Sequence, residues 1–277
     1  EVAGILRRSV RPGDYVARVG GDEFAIVIEA EEVEQVAEGV AARVIEACRV
    51  PVVHEGTACH FGASIGIAVG DADGATEGLM EDADIALYAA KAQGRNRAAP
   101  FSAAMRRAAE DRKRLADDLL RALEQGDQIR AWYHPQLRAE DGGLAGVEAL
   151  ARWHHPERGV LPPDAFFAIA EDLDVTGEID TRILREAVGT ARWLAARGTA
   201  LPKLSVNVSY RRLVRAGLAA ELGRLAPLPC RVAVELLETI DFDREGEEIL
   251  WVIDGLREQG CEIEIDDFGS GHASLTT

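Results

Sequence analysis

The sequence lacks the features that would place it in a membrane. No apolar run approaches the roughly 18 residues that a membrane-spanning helix needs. The first residues, EVAGILRRSV, include neither an initiator methionine nor the apolar core of a signal peptide. We therefore expect a cytoplasmic chain without a membrane segment of its own, which leaves room for an anchor upstream in a longer parent protein.

Cysteine is scarce as well. The chain has four cysteines, with no C-x-x-C spacing and no secretory context, so we expect free thiols in a reducing compartment. We assign no function to them. They are Cys48, Cys59, Cys230 and Cys261.

Positive charge is in short supply. The chain has 31 Lys and Arg against 48 Asp and Glu, which gives a formal net charge of −17 and a pI near 4.8. This balance argues against a broad surface for a nucleic-acid polymer. It does not exclude a small phosphate ligand, because divalent cations can stand between carboxylates and phosphates.

What the chain does have is the composition of one large or two ordinary globular domains, with 47% hydrophobic and 29% charged residues. Its first part predicts an α/β pattern that contains an antiparallel hairpin around Gly20-Gly21. The predicted elements are helix 1–9, strands 15–19 and 24–29, helix 31–48, strand 59–69 and helix 76–92.

A highly charged stretch, SAAMRRAAEDRKRLADDLLRALEQGD, separates the two parts of the chain. Leu115, Leu119 and Leu123 follow one another at helical spacing, which predicts an amphipathic connecting helix. The predicted division is therefore residues 1–100, a connecting helix over 101–125, and residues 126–277.

The second part alternates apolar strands with helices, which indicates a parallel sheet or a (β/α) barrel. The predicted strands are IRAWYHP, LAGVEALARW, KLSVNVS, RVAVELLE and CEIEIDDF, and the predicted helices are 164–172, 178–197, 211–223 and 245–259.

Polar residues occupy one face of four of these strands, because side chains alternate between the faces of a strand. Two interpretations are open: ordinary amphipathic strands with one solvent-exposed face, or a barrel interior that carries a polar site. In the second interpretation the oxygen donors suit Mg²⁺ or Mn²⁺ rather than zinc. The donors are Glu148, Asn207, Glu235 and Asp266, with Asp267 at the strand end and Arg152 on the face of Glu148.

Taken together, these motifs resemble the tandem GGDEF-EAL proteins of bacterial cyclic di-GMP signalling. GGDEF is residues 20–24 and EAL is residues 148–150. The longer matches, in the family's order, are RPGDYVARVGGDEF, DADIALYAAKAQGRNR, EALARWHHPERGVLPPDAFFAIAED, VNVS, VELLET and DDFGSGHASL. The resemblance implies a GGDEF domain of the nucleotidyl-cyclase-like α/β fold, followed by a TIM-like EAL barrel.

For the first domain the resemblance implies a diguanylate cyclase, which condenses two GTP across a homodimer of the parent protein. The Gly20-Gly21 turn then lets backbone approach the nucleotide, Asp22 is similar to a metal ligand, and Glu23 supports the same site. Further residues implied are Lys91 and Arg95, which we place on one helix face at the GTP phosphates, and Arg11 and Asp14, which match the family's product-inhibition site.

For the second domain the resemblance implies a cyclic di-GMP phosphodiesterase that opens the ring to linear pGpG with Mg²⁺ or Mn²⁺. Glu148, Asn207, Glu235 and Asp266 resemble the ligands of the first metal, and Asp266 and Asp267 resemble those shared with a second. Arg152 is similar to the arginine that contacts phosphate, and Glu238 to the residue that braces the DFGSG loop. One departure is His134, where the family usually has Gln.

The resemblance also implies that the chain is truncated at both ends and lacks parts of both active sites. We expect an open half-barrel and an isolated fragment that is aggregation-prone and hydrolyses cyclic di-GMP negligibly. The competing hypothesis is a non-catalytic receptor that binds cyclic di-GMP or GTP and regulates a partner.

Overall fold

The computed structural model describes residues 1–54, 56–70, 78–209, 212–213, 217–237 and 242–266, and of residues 237, 242–248 and 266 the backbone alone. The chain divides into two compact units, Glu1–Arg112 and Lys113–Thr277. The finer division predicted at residues 100 and 126 stays a prediction. Within the described residues, no helix combines the length and apolar character needed to cross a bilayer.

In its described residues, the first unit combines helices with three two-stranded sheets. Its elements are α1 (Val2–Ser9), β1 (Tyr15–Gly20), β2 (Glu23–Val27), α2 (Val33–Cys48), β3 (Val52–His54), β4 (Thr57–Cys59), β5 (Ile65–Ile67), α3 (Leu79–Ala92), β6 (Ala98–Pro100) and the start of α4 (Ala103–Gln125). β1 pairs antiparallel with β2, which confirms the predicted hairpin, and α1 and α2 bury Ile5, Leu6, Val40 and Val44 between them.

The single strand predicted over residues 59–69 is wrong. β4 pairs antiparallel with β3, whereas β5 pairs parallel with β6, so the two halves of the segment have different partners. Gly66 lets α3 pack closely on β5, since a Cβ on this residue would lie 1.9 Å from the carbonyl oxygen of Ala83.

The second unit is built on one mixed sheet with the order β12-β11-β10-β8-β7, and β9 pairs with the end of β8. β8, β10, β11 and β12 run parallel, whereas β7 and β9 run antiparallel to β8. The elements are β7 (Ile129–Leu137), β8 (Leu144–His155), β9 (Gly159–Leu161), a 3₁₀ turn (Pro163–Ala165), α5 (Phe167–Asp172), α6 (Thr176–Ala195), β10 (Lys203–Asn207), α7 (Leu218–Arg224), β11 (Arg231–Leu237), α8 (Phe242–Glu258) and β12 (Cys261–Asp266).

Among the described strands this sheet stays open, with β7 at one edge and β12 at the other. Helices follow most of its parallel strands, as the alternating pattern of the sequence predicts. The structure therefore confirms a mixed α/β fold with a partial (β/α) arrangement in its second unit.

The core of the second unit lies between the sheet and the helices. Leu115, Leu119 and Leu123 of α4 belong to it, which confirms the apolar stripe predicted for that helix. Trp153 is fully buried, with its ring centroid 5.7 Å from that of Phe166. Burying side chains of this size contributes about 1.5 to 3 kcal/mol each.

The faces of β8 follow the predicted parity. Ala149, Ala151 and Trp153 are buried on the helix-facing side, whereas Glu148 and Arg152 lie on the other side and are half-buried. The polar residues of the parallel strands therefore share the face that points away from the helices.

Candidate functional site

Two predicted metal ligands meet on the polar face of the sheet. Asn207, at the end of β10, donates from Nδ2 to Glu148 Oε1 of the neighbouring β8 at 2.8 Å. This hydrogen bond leaves the amide oxygen of Asn207 and the second oxygen of Glu148 as oxygen donors on the same face. Hard divalent cations prefer such donors.

The third described member of the predicted set is Glu235 of β11. It lies in register with Asn207 across the β10–β11 pair, and it is only 6% exposed. Gln136 of β7 donates from Nε2 to Glu235 Oε1 at 3.2 Å. A buried carboxylate is costly unless a hydrogen bond, an opposite charge or a cation compensates it, and the amide of Gln136 supplies one such hydrogen bond.

The rest of the predicted cluster falls outside what the structure describes. Glu238 and Asp267 lie outside the described residues, and for Asp266 only the backbone at the end of β12 is described. Among the described side chains, no group of three or more His, Cys, Asp or Glu is arranged to hold a metal ion. The described donors, two carboxylates and one amide, fit part of an oxygen-ligated site.

A half-buried ion pair lies beside this cluster. Lys203 Nζ of β10 contacts both carboxylate oxygens of Glu264 on β12, at 2.6 and 2.9 Å, across the intervening strand β11. Ser205 donates to the same carboxylate at 3.3 Å. Because Glu264 lies in register with Glu235, the Lys203 ammonium offsets the repulsion between two neighbouring carboxylates.

The sequence alone assigned no role to Gln136, Lys203 or Glu264. Alternation along the strand places all three on the polar face, since Gln136 shares the parity of His134, Lys203 that of Asn207, and Glu264 that of Asp266. The pairing of Lys203 with Glu264 depends on the order and register of the strands, and strand parity does not predict either.

Arg152 of β8 lies next to an aromatic side chain of β7. Its guanidinium carbon is 5.7 Å from the ring centroid of Trp132, and its Nη1 donates to the carbonyl of Ala151 at 2.8 Å. His134, which replaces the usual Gln, lies in register with Glu148 across the β7–β8 pair. The predicted phosphate contact and the predicted metal ligand thus share the face that Trp132 also occupies.

The turn after β10 is held by a buried acid on α6. Asp180 Oδ2 accepts hydrogen bonds from Ser209 N at 2.9 Å and from Ser209 Oγ at 2.6 Å. Burial raises the pKa of Asp180 to about 6, and the hydrogen bonds from Ser209 and the charge of Arg212 oppose this rise. Asp180 therefore fixes the backbone two residues beyond Asn207.

The adjacent histidines of β8 point to opposite faces, as strand alternation predicts. His154 is exposed and accepts from Trp132, whereas His155 is buried and lies 3.2 Å from the carboxylate of Asp118. They do not form a chelating pair.

In the first unit, the predicted nucleotide turn lies at the tip of the β1–β2 hairpin. Gly20 pairs with Glu23, and Gly21 has a φ of +49°, which glycine adopts without strain. Arg18 closes the turn by donating from Nε and Nη2 to the Gly21 carbonyl, at 2.9 and 2.6 Å. Asp22 and Glu23 are exposed at this tip.

Arg11 and Asp14 close a tight turn. Arg11 N donates to Asp14 Oδ2 at 2.8 Å, and Asp14 N donates to the Arg11 carbonyl at 3.1 Å. An open hollow of about 310 Å³ adjoins this turn, and Arg7 also lines it. The carboxylate therefore stabilises the backbone, and the exposed guanidinium is presented beside the hollow.

The prediction that Lys91 and Arg95 share one helix face is wrong. α3 ends at Ala92, and the chain then takes left-handed conformations, with φ of +106° at Gly94 and +59° at Arg95. Gly94 ends the helix here because glycine permits this geometry. Lys91 lies in the last turn of α3, whereas Arg95 lies in the loop beyond it.

Comparison with known proteins adds two family matches. Residues 116–277 match the EAL domain family, and residues 1–97 match the family described as diguanylate cyclase, GGDEF domain. The two matches follow one another along the chain.

Curated relatives are named for both activities or for one of them. The bifunctional diguanylate cyclase/cyclic di-GMP phosphodiesterase MucR of Pseudomonas aeruginosa is 36% identical over 280 residues, covering 99% of this chain and 40% of that protein. The cyclic di-GMP phosphodiesterase NbdA of the same organism is 32% identical over 275 residues, covering 98% of this chain and 35% of that protein. The chain therefore spans well under half the length of these relatives.

Among solved structures, the PaMucR phosphodiesterase in complex with c-di-GMP matches with a TM-score of 0.52 at 32% identity. The match covers 59% of this chain and 67% of that one.

Proposed function

The chain belongs to the family of tandem GGDEF and EAL domain proteins, and from this premise we propose that it acts in cyclic di-GMP turnover, with hydrolysis by its EAL domain. In this reaction water attacks one phosphorus of the cyclic dinucleotide, the bond from that phosphorus to a 3′ oxygen breaks, and linear pGpG is released. Two relatives are named as cyclic di-GMP phosphodiesterases, one of them as bifunctional, which supports the proposal.

The observation that carries the proposal is the hydrogen bond between Asn207 and Glu148, in register with the buried Glu235. The hydrogen bond joins side chains of β8 and β10, and the register adds Glu235 of β11, so oxygen donors of three neighbouring parallel strands lie on one face. A stability role alone would be better served by apolar side chains at these positions, since burying a carboxylate such as that of Glu235 is costly.

We propose Mg²⁺ or Mn²⁺ as the cofactor, held by Glu148, Asn207 and Glu235 together with Asp266 and Asp267. When bound, such a cation supplies Lewis-acid charge for displacement at phosphorus. Lys203 and Gln136 hold the surrounding carboxylates in place, and Asp180 fixes the turn behind Asn207. Arg152 contacts the phosphate of the substrate, and Glu238 braces the loop that follows Asp267.

The experiment is product analysis of the full-length protein with cyclic di-GMP and either Mg²⁺ or Mn²⁺. We expect pGpG by liquid chromatography, and no pGpG when EDTA is present. Tight binding of cyclic di-GMP without any pGpG would favour the competing hypothesis of a non-catalytic receptor.

For the GGDEF domain we propose condensation of two GTP to cyclic di-GMP in a homodimer. Asp22 and Glu23 would act at the metal and the attacking hydroxyl, the backbone of Gly20 and Gly21 would adjoin the nucleotide, and Lys91 and Arg95 would neutralise phosphates. The hairpin supports this role, because its glycine turn leaves both carboxylates exposed at the tip. Incubation with GTP and Mg²⁺ tests it by the appearance of cyclic di-GMP.

We further propose that Arg11 and Asp14 form a site at which cyclic di-GMP inhibits this condensation. The exposed guanidinium of Arg11 beside an open hollow supports the proposal. Arginine can donate in pairs to phosphate or to guanine edges.

A further inference from the structure

Trp132 lies in the row of the sheet between the predicted metal ligand and the predicted phosphate contact. In the β7–β8 register, His134 faces Glu148, Trp132 faces Leu150, and Arg130 faces Arg152. Glu148 and Arg152 are four residues apart on one strand, which corresponds to about 13 Å. A ligand that reaches from one to the other must cross the row of Trp132.

The indole of Trp132 is oriented by two neighbours and remains open to solvent. Arg152 Cζ lies 5.7 Å from its ring centroid, and Nε1 donates to His154 Nε2 at 3.3 Å. The side chain is nevertheless 49% exposed, whereas Trp153, the next tryptophan along the chain, is fully buried. Among the described residues, Trp132 is thus held in place on a polar face without belonging to the core.

We propose that Trp132 is the platform on which one purine base of the dinucleotide stacks while Arg152 contacts the adjoining phosphate. This inference rests on the proposed phosphodiesterase function and adds a residue that binds a base of the substrate. Stacking of a nucleotide base needs an exposed aromatic ring of fixed orientation, with a cation nearby to contact the phosphate. Trp132 supplies the ring and Arg152 the cation.

A second exposed tryptophan has a similar arginine contact but lies away from the predicted substrate contacts. Trp193 on α6 is 54% exposed and also has an arginine against its ring, with Arg197 Cζ at 3.9 Å. It lies on a helix, away from the polar face of the sheet. Trp193 therefore serves as a matched control, with the same residue type and a similar cation but no predicted substrate contact beside it.

The first test uses stopped-flow tryptophan fluorescence of the full-length protein mixed with cyclic di-GMP, read before turnover. All four tryptophans of the chain lie in its second unit, so residues 1–112 contribute no tryptophan signal. We expect cyclic di-GMP to quench the wild type and Trp193→Phe equally. Trp132→Phe should lose most of the quenching, because the reporting indole is gone.

The second test is steady-state kinetics. Trp132→Ala should raise KM by about ten- to a hundredfold, the range expected for loss of one stacked base, with a smaller change in kcat. Trp132→Phe should recover much of the KM, since it keeps an aromatic face. This variant also provides the test if Trp132→Ala does not fold, as judged by circular dichroism.

Retained quenching in Trp132→Phe, or a KM of Trp132→Ala equal to that of the wild type, would overturn the role of Trp132 while leaving the phosphodiesterase function intact. A wild type that shows neither quenching nor turnover would overturn the proposed function, and this inference with it.

Discussion

The candidate residues of the two units differ in how they are held. In the first unit Asp22, Glu23 and Arg11 are exposed, and the hairpin or turn that carries each is closed by local contacts. In the second unit Glu148, Asn207 and Glu235 come from three strands and are positioned by hydrogen bonds and register between strands. A site built this way is preorganised by the core of its own unit.

The difference has a consequence for mutations. Substitutions of the polar network in the second unit should change catalysis and stability together, because its residues are buried or half-buried and mutually bonded. Substitutions of the exposed residues in the first unit should change ligand binding with little effect on folding.

The largest effect is expected at Glu148. Glu148→Ala in the full-length protein should lower cyclic di-GMP hydrolysis by at least about 10²-fold, since loss of a metal ligand removes several kcal/mol of transition-state stabilisation. The measurement is pGpG formation at saturating Mg²⁺, with circular dichroism to confirm folding. Glu140→Ala, an exposed glutamate between β7 and β8, is the matched control. Turnover by Glu148→Ala close to that of the wild type would contradict the assignment.

A second effect is expected at the ion pair between Lys203 and Glu264. Lys203→Met should lower the free energy of unfolding by about 3 kcal/mol, because it leaves a partly buried carboxylate beside Glu235 without its cation. Urea denaturation measures this change. Lys203→Met/Glu264→Leu should recover most of the loss, since no unpaired charge remains.

The control for this prediction is the exposed pair of Arg231 and Glu262, whose side chains are 62% and 39% exposed. Arg231→Met should cost less than about 1 kcal/mol, because solvent screens an exposed pair. Equal losses in the two single variants would show that Lys203 has no special place in the network.

A third effect is expected in the pH dependence of stability. Burial raises the pKa of Asp180 to about 6, above a value of about 3.9 in unfolded chains. Between these values the folded state holds more protons than the unfolded state, so this residue makes the free energy of unfolding fall as pH rises from about 4 to about 6. A pKa difference of about 2 corresponds to about 3 kcal/mol at most.

Asp180→Asn should therefore flatten this pH dependence by about 2 to 3 kcal/mol, because the amide does not ionise. Urea denaturation at pH 4, 5, 6 and 7 measures it, with Asp254→Asn, an exposed site on α8, as the control. Parallel pH profiles of the wild type and Asp180→Asn would show that the buried carboxyl does not titrate in this range.

The sequence predicted most of the second unit for a physical reason. Strand parity and helical spacing are local patterns, and they placed Glu148 and Arg152 on one face of β8 and the leucines of α4 in the core. Partner choice is not local. The pairing of β4 and β5 with different strands, and the contact of Lys203 with Glu264, depend on which distant segments the fold brings together.

The position of Arg95 likewise could not be predicted from local spacing. A spacing of four residues predicts a shared helix face only while the helix continues. Gly94 ends it between Lys91 and Arg95, so the loop conformation decides where this arginine points.

The smallest effect is expected at Arg11, whose exposed side chain differs most from the hydrogen-bonded residues of the second unit. Arg11→Ala should weaken cyclic di-GMP binding to the GGDEF domain and relieve inhibition of GTP condensation by about tenfold, the equivalent of one charge-assisted hydrogen bond. Inhibition curves of GTP condensation against added cyclic di-GMP measure this shift, with Arg49→Ala on the exposed end of α2 as the control.

Stability should be nearly unchanged in Arg11→Ala, because the turn uses the backbone N–H of this residue and not its guanidinium to bind Asp14. Asp14→Ala should by contrast loosen the turn, since it removes the carboxylate that accepts from that N–H. If both variants leave the inhibition curve where it is in the wild type, Arg11 and Asp14 act only as a turn. If Arg11→Ala shifts the inhibition curve without a change in the unfolding transition, the exposed guanidinium binds the nucleotide and does not stabilise the fold.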